Sequence, residues 1–507
     1  MEDVSMISSK SRILIIAAAL IALFLCAMDA LVMSVAMPTI LTELGGIHLY
    51  AWVYSGFFLT NSIALPIIGK LADLYKTKTL FIISIGLFIL SSIAAGLSNS
   101  MLALVIARAF QGIGAGGNIA LVYIVLSDIS PPEKRGKTLA LGSVIWGIAS
   151  VAGPSVGGFI TTYLSWRWIF FINVPIGLVS LLGISLLLIE TRSKKETVHL
   201  DITGALMLAG WVVSGLIIVM AGGSEFPWFS LPSALLALLT IGFAVGFYRA
   251  ESRAKDPILD LQFFRNRGFA FGNGIAFLTS FTVFSLFAYS PLFIQGAMRR
   301  PPLEVGIVML ALSLGWSLGS VLISRFLHLI SNKTAVILGA SLIAAGMAYT
   351  LTFDRSTTMV ECFFAFLLVG FGVGFVMLCT LLEVQSTLSA KNLGVATASQ
   401  QFSRTLGGSI GVGICGGVVT SRLLAILGNA NAQIPQRVME QVSESVESIF
   451  RPAFFSELSS RTQQLLQDAV VDAISVVFWI LLGLSLLSLA FSMILFLMDK
   501  SDRERNN

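Results

Sequence analysis

Charged side chains are scarce in this chain of 507 residues. Lys, Arg, Asp and Glu together make up 12% of the sequence, about half of the roughly 25% found in an average soluble protein. Hydrophobic residues account for 56%, and the mean hydropathy is +0.89. This composition excludes an ordinary soluble protein and predicts an integral membrane protein. The net charge of +5 is small, and the sequence has no long basic tail or nucleic-acid motif, so we expect no nucleic-acid partner.

Side chains that commonly serve catalysis or metal binding are also few. The three histidines lack H-x-x-x-H or H-E-x-x-H spacing, and no phosphate-binding glycine loop is present. The four cysteines lie in apolar runs without metal or disulfide spacing, and they are Cys26, Cys362, Cys379 and Cys415. We therefore expect no enzyme, no catalytic residue, no metal site and no bound cofactor.

What the sequence has instead is a series of fourteen apolar runs, each long enough to cross a bilayer. They predict an all-α polytopic membrane protein with fourteen transmembrane helices. The first run is too long for a signal-peptide core and lacks a clear cleavage site, so we expect a retained span. The runs cover residues 13–38, 50–69, 79–97, 101–126, 137–162, 168–189, 203–221, 231–248, 269–295, 304–324, 334–353, 360–384, 395–423 and 473–498.

The distribution of Lys and Arg predicts the orientation of these spans. An even number of spans puts both termini on one side, and most basic residues fall in segments on that side. Basic segments remain in the cytoplasm, so we expect residues 1–12 and 499–507 to be cytoplasmic. Residues 249–268 then form a cytoplasmic connector, and residues 424–472 form a long outer segment. That outer segment fits either short amphipathic helices on the membrane surface or a polar connector.

The fifth apolar run carries two stripes of small residues between Gly142 and Gly158. At about 100° per residue, one stripe gathers five positions on a single helix face, and they are Ser143, Gly147, Ser150, Pro154 and Gly158. Ala149, Gly153 and Gly157 line the arc beside it. Small faces let neighbouring helices approach closely in lipid, so this helix is expected to pack tightly against its neighbours.

Only three ionisable residues lie well inside the predicted spans: Asp29, Arg108 and Arg404. A charge at the bilayer centre costs about 2.5–3.5 kcal/mol on insertion scales, so such groups usually face a cavity and find partners. Asp29 is the strongest candidate for a site that binds a proton or a cation, while a permanent ion pair with Arg108 is the structural alternative. For Arg404 the sequence allows pairing with backbone carbonyls or with a carboxylate in a gate. Glu383 lies near the end of its run, where we expect a solvated position.

Uncharged polar and aromatic residues in the spans allow two interpretations. The polar ones line a cavity or make hydrogen bonds between helices, and they are Asn61, Gln111, Asn118, Gln295, Gln400 and Gln401. The aromatic ones in the ninth run line an adaptable binding wall or pack against lipid, and they are Phe277, Phe281, Phe284 and Tyr289. Tyr50, Trp52 and Tyr54 lie where interfacial anchors are expected.

Three stretches resemble signatures of the major facilitator superfamily. GKLADLYKTKTL at Gly69–Leu80 resembles its G-x-L-x-D loop, LVIARAFQGIGAGG at Leu104–Gly117 resembles its R-x-x-Q-G-x-G-A helix, and GPSVGG at Gly153–Gly158 resembles its G-P-x-x-G-G antiporter helix. Five further stretches resemble its fourteen-span drug:proton antiporter branch, which contains bacterial multidrug exporters. They are MDALVMSVAMPTI, SWRWIFFINVPIG, LDITGALML, FFRNRGF and GVATASQQFSRTLGGSIGV.

The resemblance implies two six-helix bundles, residues 13–189 and 269–498, joined through residues 190–268, which hold two extra spans. It implies alternating access around a midplane cavity, with a proton as the coupling ion. The resemblance matches Asp29 and Arg108 to the family's first-span Asp and fourth-span Arg. With the other polar residues in the spans, the candidates for proton coupling and the cavity are Asp29, Arg108, Gln111, Asn61, Gln295 and Arg404. The gate candidates are Asp73, Lys78 and Glu383, and the antiporter helix contributes Gly147, Gly153, Pro154, Gly157 and Gly158. Leu74, Lys76 and Thr77 replace the usual Arg, Gly and Arg of the loop, so its charge network is not expected to be complete.

The function that follows from this resemblance is proton-driven export of hydrophobic or cationic drugs across the inner, cytoplasmic membrane, with antibiotic resistance as a consequence. The expected partners are small-molecule substrates and membrane lipid, and we expect a monomer. An alternative cargo is a lipid or lipid-like amphiphile, because an amphipathic outer segment at residues 424–472 would be suited to receive one.

Overall fold

A computed structural model of the protein describes residues 9–130, 135–190, 201–221, 226–227, 229–254, 261–388, 393–429, 435, 438, 441–442 and 446–506. These residues form helices joined by short connecting segments, which confirms the all-α prediction. Predictions for residues 1–8, 191–200, 255–260 and most of 430–445 lie outside the described residues.

The first half of the chain forms seven helices. Their bounds are α1 Ser9–Leu44, α2 Ile47–Leu74, α3 Thr77–Gly96, α4 Met101–Asp128, α5 Arg135–Tyr163, α6 Trp168–Phe171 and α7 Asn173–Leu187. The last two form one membrane span that is interrupted at Ile172. Pro175 explains the interruption, because proline has no N–H to bond the carbonyl of Phe171, four residues earlier.

The rest of the chain continues the helical pattern. Its helices are α8 Ile202–Ala221, α9 Leu231–Arg253, α10 Arg267–Gly296, α11 Pro302–Phe326, α12 Asn332–Thr350, α13 Met359–Ser386, α14 Leu393–Asn429, α15 Pro452–Ser456 and α16 Ser460–Asn506. Short 3₁₀ helices at Leu261–Arg265 and Val446–Phe450 precede α10 and α15.

Within the described residues, thirteen helices are long and apolar enough to cross a membrane, and Thr203–Val219 in α8 is a shorter apolar helix. These positions correspond to the fourteen predicted spans. The last helix is longer than its predicted span of residues 473–498, because it begins at Ser460. Its first turns are polar, and a search for apolar runs detects only the membrane-embedded part of a longer helix.

The helices pack into two groups with two helices beside them. In the first group α4 packs against α2 and α3, and α1 packs against α5 and α7. In the second group α13 packs against α11 and α12, and α10 packs against α14 and α16. The groups meet where α5 contacts α11 and α2 contacts α14, while α8 and α9 pack mainly on each other. Any cavity between the groups therefore lies near these contacts.

The two small-residue stripes of α5 face different partners. A Cβ added to Gly153 would lie 2.9 Å from Leu31 Cβ, and one added to Gly157 would lie 2.9 Å from Val32 Cγ2. Gly153 and Gly157 therefore let α5 lie directly on α1, which confirms the predicted close packing.

The other stripe faces α11 in the second group. A Cβ added to Gly158 would lie 3.3 Å from the carbonyl oxygen of Pro302, and one added to Gly147 would lie 3.5 Å from Ser317 Oγ. Ser150 Oγ lies 3.1 Å from the same Ser317 Oγ. The stripe that contains Gly147, Pro154 and Gly158 is therefore part of the interface between the two groups.

The two groups are hydrogen-bonded to each other near one end of the bundle. We call this the closed end, and define it by the last turns of α1 and α5 and the first turns of α2 and α11. The hydroxyl of Tyr50 donates to the carbonyl of Ala288 at 2.7 Å. Ser55 and Ser409 donate to each other's carbonyl oxygens at 2.9 and 3.1 Å. Tyr50 and Tyr54 are buried, so the prediction that they are interfacial anchors is wrong. The Tyr50 ring lies 5.8 Å from the Tyr289 ring of α10, and the Tyr54 hydroxyl donates to the carbonyl of Met33 on α1.

Candidate functional site

Asp29 and Arg108 form a buried ion pair in the first group of helices. Asp29 lies on α1 and is 0% exposed, and Arg108 lies on α4 and is 1% exposed. Nη1 of Arg108 donates to Oδ2 of Asp29, and it also donates to Oε1 of Gln111 at 2.7 Å. Arg108 and Gln111 are one helical turn apart, so α4 presents both side chains to the same carboxylate.

The other carboxylate oxygen of Asp29 accepts two amide hydrogen bonds. Gln111 Nε2 donates to Oδ1 at 3.0 Å, and Asn173 Nδ2 from α7 donates to it at 2.8 Å. Both amides also lie within hydrogen-bonding distance of Ser92 Oγ on α3, at 3.2 and 3.0 Å. The hydroxyl of Ser92 donates to the carbonyl of Phe170 at 2.9 Å. We call these five residues, Asp29, Ser92, Arg108, Gln111 and Asn173, the carboxylate network.

The network explains how a charged pair is tolerated in an apolar helix bundle. Its hydrogen bonds satisfy both oxygens of Asp29, and the guanidinium of Arg108 lies 4.0 Å from the centre of the Phe57 ring. A cation over an aromatic face gains electrostatic energy, and more so away from water. The structure thus brings together three predicted residues, Asp29, Arg108 and Gln111, and adds Ser92 and Asn173, which the sequence did not single out.

A narrow cavity lies between the two groups of helices. Its volume is only about 20 Å³, so it is largely closed in this structure, and it is bounded by α1, α2, α4, α5, α10 and α14. Its lining residues are Cys26, Ala30, Phe58, Asn61, Ile119, Trp146, Phe284, Gln401, Arg404 and Thr405. Asp29 does not belong to this wall. It lies about a quarter of a turn from Ala30 around α1, and it points into the first group, toward α3, α4 and α7.

Arg404 is the charged residue on the described wall of this cavity. Its Nη1 donates to Gln401 Oε1 at 3.3 Å, and its guanidinium carbon lies 5.6 Å from the centre of the Trp316 ring. Its Nε is shielded from solvent and has no hydrogen-bond partner. Neither of the predicted partners, a carboxylate or a backbone carbonyl, is bonded to Arg404 within the described residues. Asn61 Oδ1, on the opposite side of the cavity, also lacks a partner.

Other predicted residues lie away from the cavity. Gln295 donates to the carbonyl of Val35 at 3.3 Å, near the closed end, and Gln400 donates to Met377 and Thr380 of α13.

The predicted packing of the ninth-run aromatic residues against lipid is wrong for three of them. Phe281 and Tyr289 are buried among helices, and Phe284 lines the cavity, because α10 is almost wholly enclosed.

The predicted gate residues lie at the end of the bundle opposite the closed end. Asp73 lies in the last turn of α2. Glu383 is only 7% exposed, and its Oε1 lies 3.4 Å from Lys333 Nζ. The prediction of a solvated Glu383 is therefore wrong. The apolar run ends at about residue 384, but α13 continues to Ser386, and α10 covers its last turns.

Lys78 takes part in a helix cap that the sequence did not reveal. The backbone N–H groups of Thr77 and Lys78, at the start of α3, donate to Glu190 at 3.1 and 3.3 Å. A carboxylate at a helix N-terminus satisfies backbone donors and interacts favourably with the helix dipole. An acid directly after an apolar run, as at Glu190, is the signal that points to such a cap.

The model of the major facilitator superfamily matches residues 19–412 of this chain. The chain belongs to the major facilitator superfamily. It is 31% identical over 490 residues to the multidrug transporter protein MdtP of Bacillus subtilis (strain 168), covering 93% of this chain and 90% of the relative. It is also 28% identical over 498 residues to multidrug resistance protein 3 of the same organism, covering 98% and 97% of the two chains.

Solved structures share the fold. A bacterial homologue of the human lysosomal transporter Spinster, in an inward-facing and occupied conformation, superposes with a TM-score of 0.67. The match covers 96% of this chain and 97% of the other at 12% identity, so it shows the fold alone. This member of the superfamily is a multi-pass membrane transporter and not an enzyme.

Proposed function

We propose that the protein exports hydrophobic small molecules across the cytoplasmic membrane by alternating access, driven by proton entry. The observation that carries the proposal is the carboxylate network, which places a titratable group beside a cavity between two helix bundles. The relatives named as multidrug transporters support the cargo class. The fourteen-span antiporter branch, the cytoplasmic position of both termini and a monomeric state complete the proposal.

In this mechanism a proton acts on the ion pair. Protonation of Asp29 removes the charge that holds Arg108, and a buried cation without its counter-ion is destabilised by about 3–5 kcal/mol. The network ties α1 to α3, α4 and α7, so its weakening frees α1 to shift. Leu31 and Val32 of α1 lie against Gly153 and Gly157 of α5. A shift of α1 is therefore passed to α5, and through Gly158 to α11 in the other bundle.

The orientation of the chain in the membrane sets which end of the bundle faces the cytoplasm. With both termini in the cytoplasm, the closed end faces the outside, and Asp73 and Glu383 face the cytoplasm. A proton that enters a cell with a membrane potential of 100 mV, negative inside, releases about 2.3 kcal/mol, which is enough energy to drive accumulation of cargo outside. The network must then be reached by protons from both sides in turn.

The described part of the outer segment gives little support to the alternative lipid cargo. Apolar side chains of the outer segment, Ile449, Phe450 and Phe455, are buried, and a Cβ on Gly296 would touch the Phe450 ring. These side chains pack against the closed end, so they do not offer a free amphipathic surface. Small hydrophobic compounds are therefore the cargo we propose.

The test uses two carboxylates on the same helix. In everted vesicles that take up a neutral hydrophobic dye under a pH gradient, Asp29→Asn should abolish the response to that gradient. Glu43→Gln is the matched control, because Glu43 also lies on α1 and pairs with an arginine, Arg167, but at the closed end. This control should keep gradient-driven efflux. Undiminished coupling in the Asp29 variant would remove Asp29 as the proton site.

A further inference from the structure

The charge on the cavity wall differs from what a transporter of cations needs. The carboxylate of Asp29 is turned away from the cavity and occupied by Arg108, Gln111 and Asn173. None of the described residues that line the cavity is acidic, and one of them, Arg404, is basic. A ligand in this cavity therefore meets one full positive charge, which attracts anions and repels cations.

Arg404 also has unused hydrogen-bonding capacity. A guanidinium has five N–H donors, and within the described part of the chain Arg404 makes one hydrogen bond, to Gln401. Its Nε is buried without a partner. Leaving a buried donor unsatisfied is costly, so an acceptor that reaches this guanidinium recovers that energy on binding. The planar fork of arginine matches the two oxygens of a carboxylate or sulfonate.

The rest of the cavity suits an aromatic or apolar body. The rings of Phe58 on α2 and Phe284 on α10 are in contact, with centres 4.7 Å apart and planes tilted by 55°, so both bundles contribute to one aromatic wall. Trp146 of α5 completes that wall. Flat rings bind such walls by offset stacking or edge contacts. The partnerless Asn61 Oδ1 offers an acceptor for one N–H or O–H of the ligand.

We propose that this cavity, once the two bundles separate on the side where it opens, binds amphiphilic organic anions, with an aromatic body against Phe58, Phe284 and Trp146 and an anionic group bonded to Arg404. The proposal deepens the proposed export function and rests on it for the direction of transport. It replaces the expectation of cationic cargo. It also has an energetic consequence: an anion leaving a cell that is negative inside moves down the electrical gradient, so the membrane potential assists its export in addition to proton entry.

The binding test uses one aromatic ring in two charge states. A coumarin carboxylate and the primary amide of the same coumarin are titrated against the purified full-length chain in nanodiscs. We expect the wild type to bind the carboxylate at least about tenfold more tightly, as one charge-assisted hydrogen bond implies. Arg404→Gln should remove this preference while leaving amide binding in place, and Arg404→Lys should keep part of it. Arg167→Gln, at the closed end, should behave as the wild type.

Three results overturn the proposal. They are a wild type that binds neither probe, a wild type that prefers the amide, and a carboxylate preference that survives in Arg404→Gln. If Arg404→Gln does not fold, as judged by its gel-filtration profile, the comparison between Arg404→Lys and wild type decides, and an unchanged preference in the lysine variant contradicts the bidentate contact.

A transport measurement separates this proposal from the export function. Everted vesicles are given a membrane potential while nigericin removes the pH gradient, and uptake of both probes is followed. Arg404-dependent binding of the carboxylate without movement of either probe means that the export proposal fails while the anion site stands. Movement of both probes without any Arg404-dependent preference means that export stands and the anion site fails.

Discussion

The two bundles place their in-span charges differently. In the first bundle α1 contributes a charged residue, Asp29, and three neighbouring side chains, those of Arg108, Gln111 and Asn173, bond its carboxylate inside the bundle. In the second bundle the corresponding first helix, α10, contributes a neutral one, Asn273, whose Oδ1 accepts from Ser399 and Ser403 of α14. The in-span charge of the second bundle, Arg404, faces the cavity instead.

Under the proposed function, this difference assigns two tasks to the two bundles. The enclosed ion pair of Asp29 and Arg108 is the proposed place where a proton acts. A cation on the cavity wall with few partners is suited to meet cargo. The bundles have similar helix arrangements, so the division of labour lies in a few side chains. Variants that are matched between the bundles test it.

The largest effect is expected from a comparison of the two in-span arginines, Arg108 and Arg404. Arg108→Ala leaves the Asp29 carboxylate buried without its counter-ion and should lower the free energy of unfolding by about 3–5 kcal/mol. Arg404→Ala removes a cation that has no acidic partner among the described residues, so it should be neutral or stabilising. Unfolding by SDS titration in mixed micelles measures both variants. Equal losses in the two variants would contradict the contrast between a satisfied and an unsatisfied charge.

A double variant sharpens this result. Asp29→Asn with Arg108→Gln removes both charges together, so it should recover most of the stability that Arg108→Ala loses, while gradient-driven efflux stays lost. Recovery of stability without recovery of coupling would show that the pair is not required for folding. A double variant that remains as unstable as the single one would indicate that the network is mainly structural.

The second effect concerns the two stripes of α5. Gly157→Leu places a large side chain where a Cβ already lies 3.0 Å from the backbone oxygen of Val32, and overpacking of this kind costs about 1–3 kcal/mol. Because this contact links α1 to α5, we expect efflux to be lost in protein that still inserts. Gly147→Ala, whose Cβ meets Ser317 Oγ at an ordinary 3.5 Å, should keep efflux. Normal dye efflux by Gly157→Leu would mean that the stretch Gly153–Gly158 serves packing and is not needed for transport.

Much of this architecture could be predicted because it depends on local pattern. Long apolar runs define spans whatever their neighbours, and small residues at Gly153 and Gly157 imply close helix contacts in lipid. The pairing of Asp29 with Arg108 was also predictable, since two central charges in one bundle rarely remain apart. The predicted functional roles of these residues stay predictions.

The direction in which Asp29 points could not be predicted. A helix that is apolar on all sides gives no preferred face, so the sequence does not tell the cavity side of α1 from the side toward α3 and α4. Ser92 and Asn173 escaped notice because small polar residues are common in spans and carry no pattern of their own. The burial of Glu383 was missed for a related reason: a neighbouring helix covers it, and tertiary packing is not encoded in local hydropathy.

A smaller effect is expected where the outer segment joins the closed end. Arg451 Nε donates to the carbonyl of Thr42 on α1, and Arg299 Nη1 donates to the carbonyl of Ile449. Arg299 also lies 3.8 Å from the centre of the Phe455 ring, and its burial lowers the pKa of its guanidinium. Arg299→Ala should therefore open the closed end more than Arg451→Ala, which removes one exposed hydrogen bond worth about 0.5–1.5 kcal/mol.

Spin labels measure this opening. Distances between labels on α2 and α14 at the closed end should broaden toward longer values in Arg299→Ala, with a smaller change in Arg451→Ala. The two variants compare two contacts of the outer segment. Arg451 bonds it to α1 of the first bundle, and Arg299, which follows α10 of the second bundle, bonds to it at Ile449. A larger opening in the Arg451 variant would show that the contact with α1 dominates.

The smallest effect is expected at the starts of α3 and α12, the third spans of the two bundles. Glu190 accepts from the backbone N–H groups of Thr77 and Lys78, so its charge interacts with the dipole of α3. Glu190→Gln keeps an acceptor but removes the charge, which should lower the free energy of unfolding by about 0.3–1 kcal/mol.

In the second bundle Ser331 caps α12 through its hydroxyl, and Glu383 pairs with Lys333 in the first turn. Glu383→Gln removes the charge from the ion pair with Lys333, so it should cost more than Glu190→Gln. SDS titration of the two variants orders them, and a greater loss in the Glu190 variant would mean that the cap at α3, rather than the ion pair at α12, is the stronger contact at the end opposite the closed end.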